Sequence, residues 1–338
     1  MNKTFLFLIT FFIVGNSCFA QHLSSVEERE LQKREDSLKS FSRELIQGRS
    51  AEDRFKADSQ FTTMFVRALK VKNSFYFPFD SLVTISRLSP KDSSFKIFTW
   101  QLVVNDDVTR QHGAIQMRTA DGSLRLFPLI DKTDVIKNID DTISNNFWWI
   151  GAVYYKIIEK KAFGKDYYTL LGFDENNLNS NKKIIEVLTF KDGEPVFGGS
   201  FFSFRDNNIK KRSFARYIME YKKNASPRLT YDPDIDMIVY EHLISETGEP
   251  NKKYTYIPDG DYEGLKWKDG KWVYIEKVFN QKTPEGQEPV PHPIRDDKGN
   301  IDESKLSTKM PENDDSEENM NEAKQPAILK SPVKKGKE

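Results

Sequence analysis

Acidic residues at alternate positions come closest to a metal-binding pattern in this chain. Asp232, Asp234 and Asp236 alternate along one segment, as do the residues that open oxygen-rich calcium loops. Such a loop requires glycine at its sixth position and a bidentate acid at its twelfth, where this chain has Met237 and Leu243. The three aspartates are therefore candidate ligands for a weakly held cation, and an acidic turn is the alternative interpretation.

Paired tryptophans form a second group of candidate site residues. Trp148 and Trp149 are adjacent, and Trp267 and Trp272 flank a turn. Exposed rings of this kind can stack against a sugar or a peptide, which makes all four candidate ligand-binding residues. Neighbouring residues of a strand point to opposite faces, so one of Trp148 and Trp149 should face outward. Packing in the core and across strands is the alternative for all four.

No recognisable catalytic motif accompanies these residues. Of the four histidines, His112 is expected in a turn and His242 within a strand, and the sequence has no Gly-x-Ser-x-Gly elbow. It also lacks a phosphate-binding glycine-rich loop and a dinucleotide fingerprint, so we expect no cofactor. The sequence favours a non-enzymatic binding or structural protein. The alternative is a secreted, glycan-directed hydrolase whose carboxylates converge only in the fold.

Charge and cysteine content narrow the possible partners and chemistry. The 338 residues include 51 Lys and Arg against 51 Asp and Glu, so no net field favours binding to nucleic acid. The single cysteine, Cys18, lies within the first 20 residues. A chain that loses those residues has no thiol for a disulfide, a zinc site or a nucleophile.

Residues 1–20 have the pattern of a secretory signal peptide. Lys3 precedes an apolar run from Phe5 to Val14, and small residues at Cys18 and Ala20 precede a cleavage point. The run is shorter than the roughly 20 residues that cross a bilayer, so we expect no transmembrane segment after cleavage. Export to the periplasm or the extracellular space follows. Acylation at Cys18 is an alternative that would anchor the protein to a membrane.

Residues 21–72 should form a charged helical hairpin. Capping boxes at Ser24–Glu27 and Ser25–Glu28 predict the start of one helix, and Gly48 predicts its end. A second helix should start at Ser50, with Asp53 three residues on. The first helix has leucines at a spacing of seven residues: Leu31, Leu38 and Leu45. Because a coiled coil needs three or four such heptads, an amphipathic helix that packs on its own domain or projects loosely from it is favoured.

Residues 73–283 should form a mainly β domain of about a dozen strands. Short runs of β-branched and aromatic residues alternate with polar turns, which predicts an antiparallel meander, a sandwich or a barrel-like body. Asp-Gly at 192–193 and at 269–270 indicates hairpins, because both central residues of a type I′ turn have positive φ. The sequences around these two turns align without gaps, and a β-propeller is therefore the alternative architecture.

The expected strands begin at residues 75–79. Other segments of the chain depart from this β pattern, and the first of them is a short helix over 134–144 that should interrupt the strands. Residues 284–338 contain no aromatic residue and carry many prolines and charges. We expect this tail to be disordered, because it has little apolar surface to bury.

Three features together resemble exported proteins of the Bacteroidota. They are the leader ending Cys-Phe-Ala before Gln21, the Lys- and Asn-rich aromatic β-body, and the stretch Asp-Gly-Asp-Tyr-Glu-Gly-x-Lys-Trp-x-x-Gly-Lys-Trp at 259–272. The resemblance implies a periplasmic or surface location and supplies no catalytic residue. We accordingly expect the partner to be a protein or a glycan of the cell envelope.

Overall fold

Four layers make up the structure: a helical hairpin and three β-sheets, each packed against the next. The computed structural model describes residues 22–105, 107–204 and 214–279. The described residues up to Val278 belong to one structural unit. The signal peptide expected at residues 1–20 and the tail at 284–338 lie outside the described residues.

The hairpin begins and ends where its capping residues predict. Its helices are α1 (Ser25–Gln47) and α2 (Ala51–Leu69). The Ser24 backbone N–H donates to the Glu27 carboxylate at 2.8 Å, and Glu27 N–H donates back to Ser24 Oγ at 3.3 Å. Ser50 and Asp53 exchange the same two bonds at the start of α2. None of the helices in the described part of the chain is long and apolar enough to cross a membrane.

Sheet I is antiparallel throughout and packs on the hairpin. It consists of β1 (Ser86–Leu88), β2 (Phe95–Val103), β3 (Thr109–Met117) and β4 (Arg125–Ile130), in that spatial order. Phe98 and Trp100 of β2 pack on the helices, where they share one core with the leucine stripe of α1. Phe95 and Ile97 point the other way, into the core shared with sheet II.

Sheet II is the central sheet of the stack. Its strands are β5 (Ser144–Asn145), β6 (Val153–Ala162), β7 (Lys165–Asp174), β8 (Ser180–Lys191), β9 (Glu194–Phe197) and β11 (Arg216–Lys222). The spatial order is β5-β9-β8-β7-β6, and β11 pairs with another part of β8. Ile184 and Leu188 of β8 face sheet I, whereas Ile185 and Val187 face sheet III. Burial on both faces explains why apolar residues stand next to each other in the middle of this strand, at 184–185 and 187–188, instead of alternating with polar ones.

Sheet III closes the stack. Its strands are β10 (Phe202–Ser203), β12 (Leu229–Asp232), β13 (Met237–Ser245), β14 (Tyr256–Lys268) and β15 (Lys271–Ile275), in the order β10-β15-β14-β13-β12. All neighbours are antiparallel except β10 and β15, which are parallel. The structure is thus mainly β and sandwich-like, as predicted. Within the described residues no sheet closes into a barrel, and the sheets stack face to face instead of forming propeller blades.

The two Asp-Gly hairpins are confirmed. Asp192 and Gly193 have φ values of 53° and 78°, and Asp269 and Gly270 have 49° and 76°. Each pair connects antiparallel neighbours, β8 with β9 and β14 with β15. These are the left-handed values that a type I′ turn requires at both central residues.

Some local predictions are wrong. Residues 75–79 lie in a 3-10 turn over Ser74–Tyr76 and irregular chain, not in a strand. His112 lies within β3, not in a turn, because β3 continues through polar residues that pair with β2. Trp148 lies in a 3-10 turn over Asn146–Trp148 that precedes β6.

The helix expected over 134–144 is reduced to a 3-10 turn at Thr133–Val135. Its backbone forms only isolated local turns, such as Thr142 N–H to the Asn138 carbonyl at 3.0 Å, and it is also bonded to a distant strand. The Asp140 carbonyl accepts the N–H groups of Ala215 and Arg216 at 2.8 and 3.1 Å. Tertiary hydrogen bonds therefore override the local helical pattern in this segment.

A buried ion pair joins β8 to β11 on the face of sheet II that points to sheet I. Glu186 and Arg216 are directly opposite in the register and both side chains are fully buried. Arg216 Nε donates to Glu186 Oε2 at 3.0 Å. Arg216 also donates to the carbonyls of Ile139 and Thr142, the latter at 2.7 Å. One guanidinium thus holds both its counterion and the segment before β5.

The carboxylate of Glu186 extends this network to two aromatic residues. The Tyr154 hydroxyl donates to Glu186 and accepts from Trp149 Nε1 at 2.7 Å. Burial first, and the Glu186 charge next, raise the pKa of the Tyr154 hydroxyl, so it remains a donor. The buried pair is therefore hydrogen-bonded on both sides, which offsets the cost of removing its charges from water.

We expect Arg216→Met to lower the free energy of unfolding by about 3–5 kcal/mol, because Glu186 would become an unpaired buried charge. Urea denaturation of the full chain measures this loss. The control is Arg34→Met, which removes an exposed pair with Glu30 one helical turn away and should cost under about 0.5 kcal/mol. Equal losses in the two variants would contradict the role given to the buried pair.

Candidate functional site

The four candidate tryptophans have different environments. Trp149 and Trp272 are fully buried, and the Trp272 indole donates to Thr169 Oγ1 at 2.8 Å. These two side chains pack the core and offer no surface to a ligand. Trp267 is partly buried and packs edge-on against Trp272 at a centroid distance of 5.3 Å. Trp148 is 53% exposed and is the most exposed of the four.

The three alternating aspartates form the turn between β12 and β13. Asp232 Oδ1 accepts the N–H of Asp234 at 2.9 Å, and Asp236 has a positive φ of 53°. Asp236 pairs with Lys160 and with the Tyr231 hydroxyl. Among the described residues, no group of three or more His, Cys, Asp or Glu side chains could hold a metal ion. The alternating acids shape a turn, and the structure does not bring them together as a cation site.

A cleft of about 480 Å³ lies between α2 and sheet I, and we call it the helix–sheet cleft. Thr62 of α2 forms one side, and Trp100 of β2 and residues 110–113 of β3 form the base. The segment that leaves β4 forms the other side, including Ile130 and Lys132. Its volume is in the range of sites for small molecules.

Asp58 lies beside the cleft and orients two of its aromatic residues. His112 Nδ1 lies 3.1 Å from Asp58 Oδ1, and the Trp100 indole N–H donates to the same oxygen at 3.4 Å. Asp58 precedes Thr62 by four residues, so both lie on one face of α2. Nδ1 is therefore the ring nitrogen of His112 that faces the carboxylate.

Two residues that line the cleft each have a buried oxygen without a hydrogen-bond partner within the described residues: Thr62 Oγ1 and Gln111 Oε1. An acceptor left unpaired in this way costs about 1–3 kcal/mol. The Gln111 side chain is 2% exposed and lies on the opposite face of β3 from His112, where its Nε2 donates to Asp174 Oδ1 of sheet II at 3.2 Å. Burial raises the pKa of the Asp174 carboxyl. Of the two oxygens, Thr62 Oγ1 is therefore the one on the helix side of sheet I.

The carboxylates that line the cleft already have partners. Asp131 accepts the N–H groups of Gln111 and Gly151 at 3.2 and 3.3 Å, and it also binds Thr133. Asp134 forms an ion pair with Arg110. These acids fix the wall of the cleft, and the unsatisfied groups are uncharged. The cleft is therefore suited to a neutral, polar ligand that presents hydrogen-bond donors.

Sequence reasoning singled out His112 only as one of four histidines and missed the residues around it. Asp58 and Thr62 lie in a helix, and Gln111 lies in a strand whose sequence fits the pattern of a strand only in part. Such residues carry no motif, because the packing of α2 on sheet I brings them together. The four-residue spacing of Asp58 and Thr62 is their one sequence signal, and it is common on helices.

His242, the histidine expected in a strand, lies in β13 and lines a second cavity of about 380 Å³. Its Nδ1 is 2.7 Å from Asp259 Oδ2, and its Nε2 is 3.9 Å from Glu263 Oε1. Burial opposes the charged imidazole, but the hydrogen bond and charge of Asp259 outweigh it and raise the pKa of His242. The ring therefore links β13 to the two carboxylates of β14, and this contact favours its charged form.

Comparison of the chain with protein-family models, with curated proteins and with solved structures found no match. The assignment of a function therefore depends on the residues and geometry of the chain itself. Of the two cavities, the helix–sheet cleft is the one in whose lining a described residue, Thr62, has a buried oxygen without a hydrogen-bond partner among the described residues.

We expect Asp259→Asn to lower the pKa of His242, because the substitution removes the charge that offsets burial of the ring. NMR titration of the histidine ring protons measures this pKa. The stability that the pair contributes is present below about pH 6.5, the pKa of the unfolded group, and is lost as pH rises through the raised folded pKa. Asp259→Asn should therefore destabilise the protein more at pH 5.5 than at pH 8.

The matched control is Asp166→Asn, which removes an acid that pairs with Lys161 in sheet II. It should leave the His242 titration unchanged. A His242 pKa that stays raised in Asp259→Asn would contradict the assignment of Asp259 as the main stabilising partner.

Proposed function

We propose that this protein is an exported, non-enzymatic binding protein of the cell envelope that takes a small polar ligand in the helix–sheet cleft. The observation that carries the proposal is Thr62 Oγ1, a buried oxygen in the lining of the cleft that has no hydrogen-bond partner among the described residues. Buried polar atoms in native proteins are usually paired, and exceptions often mark sites of function. A ligand with a hydrogen-bond donor supplies the missing partner.

Export is supported by the sequence pattern of residues 1–20 and by the resemblance to exported proteins of the Bacteroidota. Balanced charge argues against nucleic acid as the partner. In this proposal the ligand belongs to a protein or a glycan of the envelope, and the protein works without a cofactor.

Binding is favoured over catalysis because the cleft holds its charged groups in structural contacts. Asp131 is bonded to backbone N–H groups of its own wall, and Asp134 is paired with Arg110. A glycosidase needs one carboxylic acid and one carboxylate directed at the same bond. The acids that line the cleft instead form hydrogen bonds and an ion pair with neighbouring groups.

A glycan-directed hydrolase is the second candidate, and one specific observation favours it. Asp58, Asp131 and Asp134 converge around a single cleft from separate segments of the chain. Asp58 also orients His112 as an aspartate orients the base of a catalytic triad. Turnover of chromogenic glycosides by the purified protein, abolished by Asp58→Asn, would support the hydrolase and overturn the non-enzymatic assignment.

We expect Thr62→Val to weaken ligand binding about 3–10-fold, because it removes one hydrogen-bonding oxygen and keeps the shape of the side chain. The probes are a panel of neutral sugars, polyols and dipeptides, with binding followed by intrinsic tryptophan fluorescence and calorimetry. Trp100 lies in the cleft and reports occupancy.

Thr63→Val is the matched control, because Thr63 is the neighbouring residue of α2 and is exposed. The same change of residue type there should leave binding unchanged. Absence of binding by every probe, or equal binding by the two variants, would overturn the proposed function of the cleft.

A further inference from the structure

Phe163 is the most exposed large apolar side chain in the described part of the chain, with 79% of its surface accessible. It lies at the tip of the hairpin between β6 and β7, where Ala162 and Lys165 form the last strand pair. Phe163 and Gly164 are therefore the two turn residues, and their φ values are 50° and 70°. Bulky apolar residues are rare in this left-handed region, so the tip departs from ordinary turn chemistry.

Two other hairpins of the same chain have the ordinary residue type at this position. In the turns between β8 and β9 and between β14 and β15, the residue that corresponds to Phe163 is an aspartate, Asp192 or Asp269. Aspartate tolerates positive φ because its short polar side chain can hydrogen-bond locally. Phenylalanine at position 163 lacks this advantage and exposes an apolar ring to water. A backbone outlier of this kind indicates that the side chain serves a function.

The tip of the β14–β15 hairpin lies directly beside Phe163. A Cβ atom on Gly270 would be 2.9 Å from Phe163 Cε2, so one edge of the ring lies against that turn. In the same turn, Lys268 and Lys271 are directly opposite in the register. Like charges at such a position repel each other. Both tips therefore contain a locally unfavourable choice of residue.

Positive charge is in excess on these two turns. Their four lysines are all exposed: Lys161, Lys165, Lys268 and Lys271. Lys161 pairs with Asp166, and the other three form no ion pair with any described residue. Asp269 is the second acid of the two turns. Four lysines against two aspartates leave a net charge of about two around the exposed ring.

We propose that the two tips form a membrane-contact site, in which Phe163 enters the surface of a bilayer that contains anionic lipids and the lysines contact the headgroups. Burial among lipid chains removes the exposed ring from water. The long apolar stems of the lysines let their ammonium groups stay at the headgroups, which carry the opposite charge. Anionic headgroups also offset the repulsion between Lys268 and Lys271.

The composition of the tips favours lipid over protein as the partner. Arginine is enriched at protein interfaces and lysine is depleted there, whereas residues 161–166 and 268–271 contain four lysines and no arginine. Charge complementarity therefore selects an anionic lipid surface. Neither turn lines the helix–sheet cleft, so this inference does not depend on the function proposed for the cleft.

Binding of the full chain to lipid vesicles tests the proposal. The vesicles contain phosphatidylcholine alone or an equal mixture of phosphatidylcholine and phosphatidylglycerol, and flotation measures the bound fraction. We expect tighter binding to the mixed vesicles, and Phe163→Asn should weaken it about tenfold because the ring no longer enters the bilayer. Lys268→Gln should weaken it about fivefold and leave binding to phosphatidylcholine unchanged. Residues 1–20 are present in every variant, so differences between variants report on the tips.

Phe163→Asn should also raise the midpoint of thermal unfolding by about 2–4 °C, because asparagine is a preferred residue in a turn of this type. A ring with a purely structural role would lower the midpoint when it is replaced. A lower midpoint in Phe163→Asn would therefore show that the ring serves the fold, and it would overturn the proposal.

The controls are Phe55→Asn and Lys56→Gln, which replace exposed residues of the same two types on α2. Both variants should bind the mixed vesicles as the unmodified protein does. Equal binding by Phe163→Asn and the unmodified protein would contradict insertion of the ring. Self-association that Phe163→Asn abolishes, measured by sedimentation equilibrium without lipid, would make the tips a contact between two copies of the chain and would overturn lipid as the partner.

Discussion

The buried Glu186–Arg216 pair is the interaction on which the arrangement of this protein depends. Sheet II is covered on both faces, so neither charge can reach water and each must be satisfied by the protein. Arg216 meets this constraint by binding Glu186 together with the carbonyls of Ile139 and Thr142. The position of β11 on β8 is thereby coupled to the path of the chain that leads into β5.

That coupling extends to the turn that carries Trp148. Arg216 also donates to Ser144 Oγ at 3.3 Å, and the next residue, Asn145, caps this turn. On the far side of this turn, the Trp149 indole is bonded to Tyr154, which is bonded in turn to Glu186. The segment that carries Trp148 is therefore fixed to one network at both of its ends, which preorganises its exposed surface.

The sequence predicts the parts of this fold that depend on neighbouring residues. The capping boxes at Ser24 and Ser50 and the Asp-Gly turns at 192–193 and 269–270 involve groups at most three residues apart, so their patterns are sufficient. The segment 134–144 has a helical pattern, but its carbonyls are bound by Arg216, which follows more than 70 residues later. No local pattern in the sequence predicts a contact between residues so far apart along the chain.

The same distinction applies to the site. Strand alternation predicts that one of Trp148 and Trp149 faces outward, and Trp148 does, but for a different reason, because it ends a 3-10 turn and does not lie in a strand. The two histidines show what such reasoning misses. Both contact an aspartate, but the Nε2 of His242 also faces Glu263, which favours the cationic ring as a link between strands. His112 lies instead at a cleft lined by Thr62 of α2, whose buried hydroxyl oxygen has no hydrogen-bond partner among the described residues. Both residues are histidines that contact an aspartate, so the role of each ring depends on the other groups beside it. Only the packing of elements that are distant in sequence brings those groups to the ring.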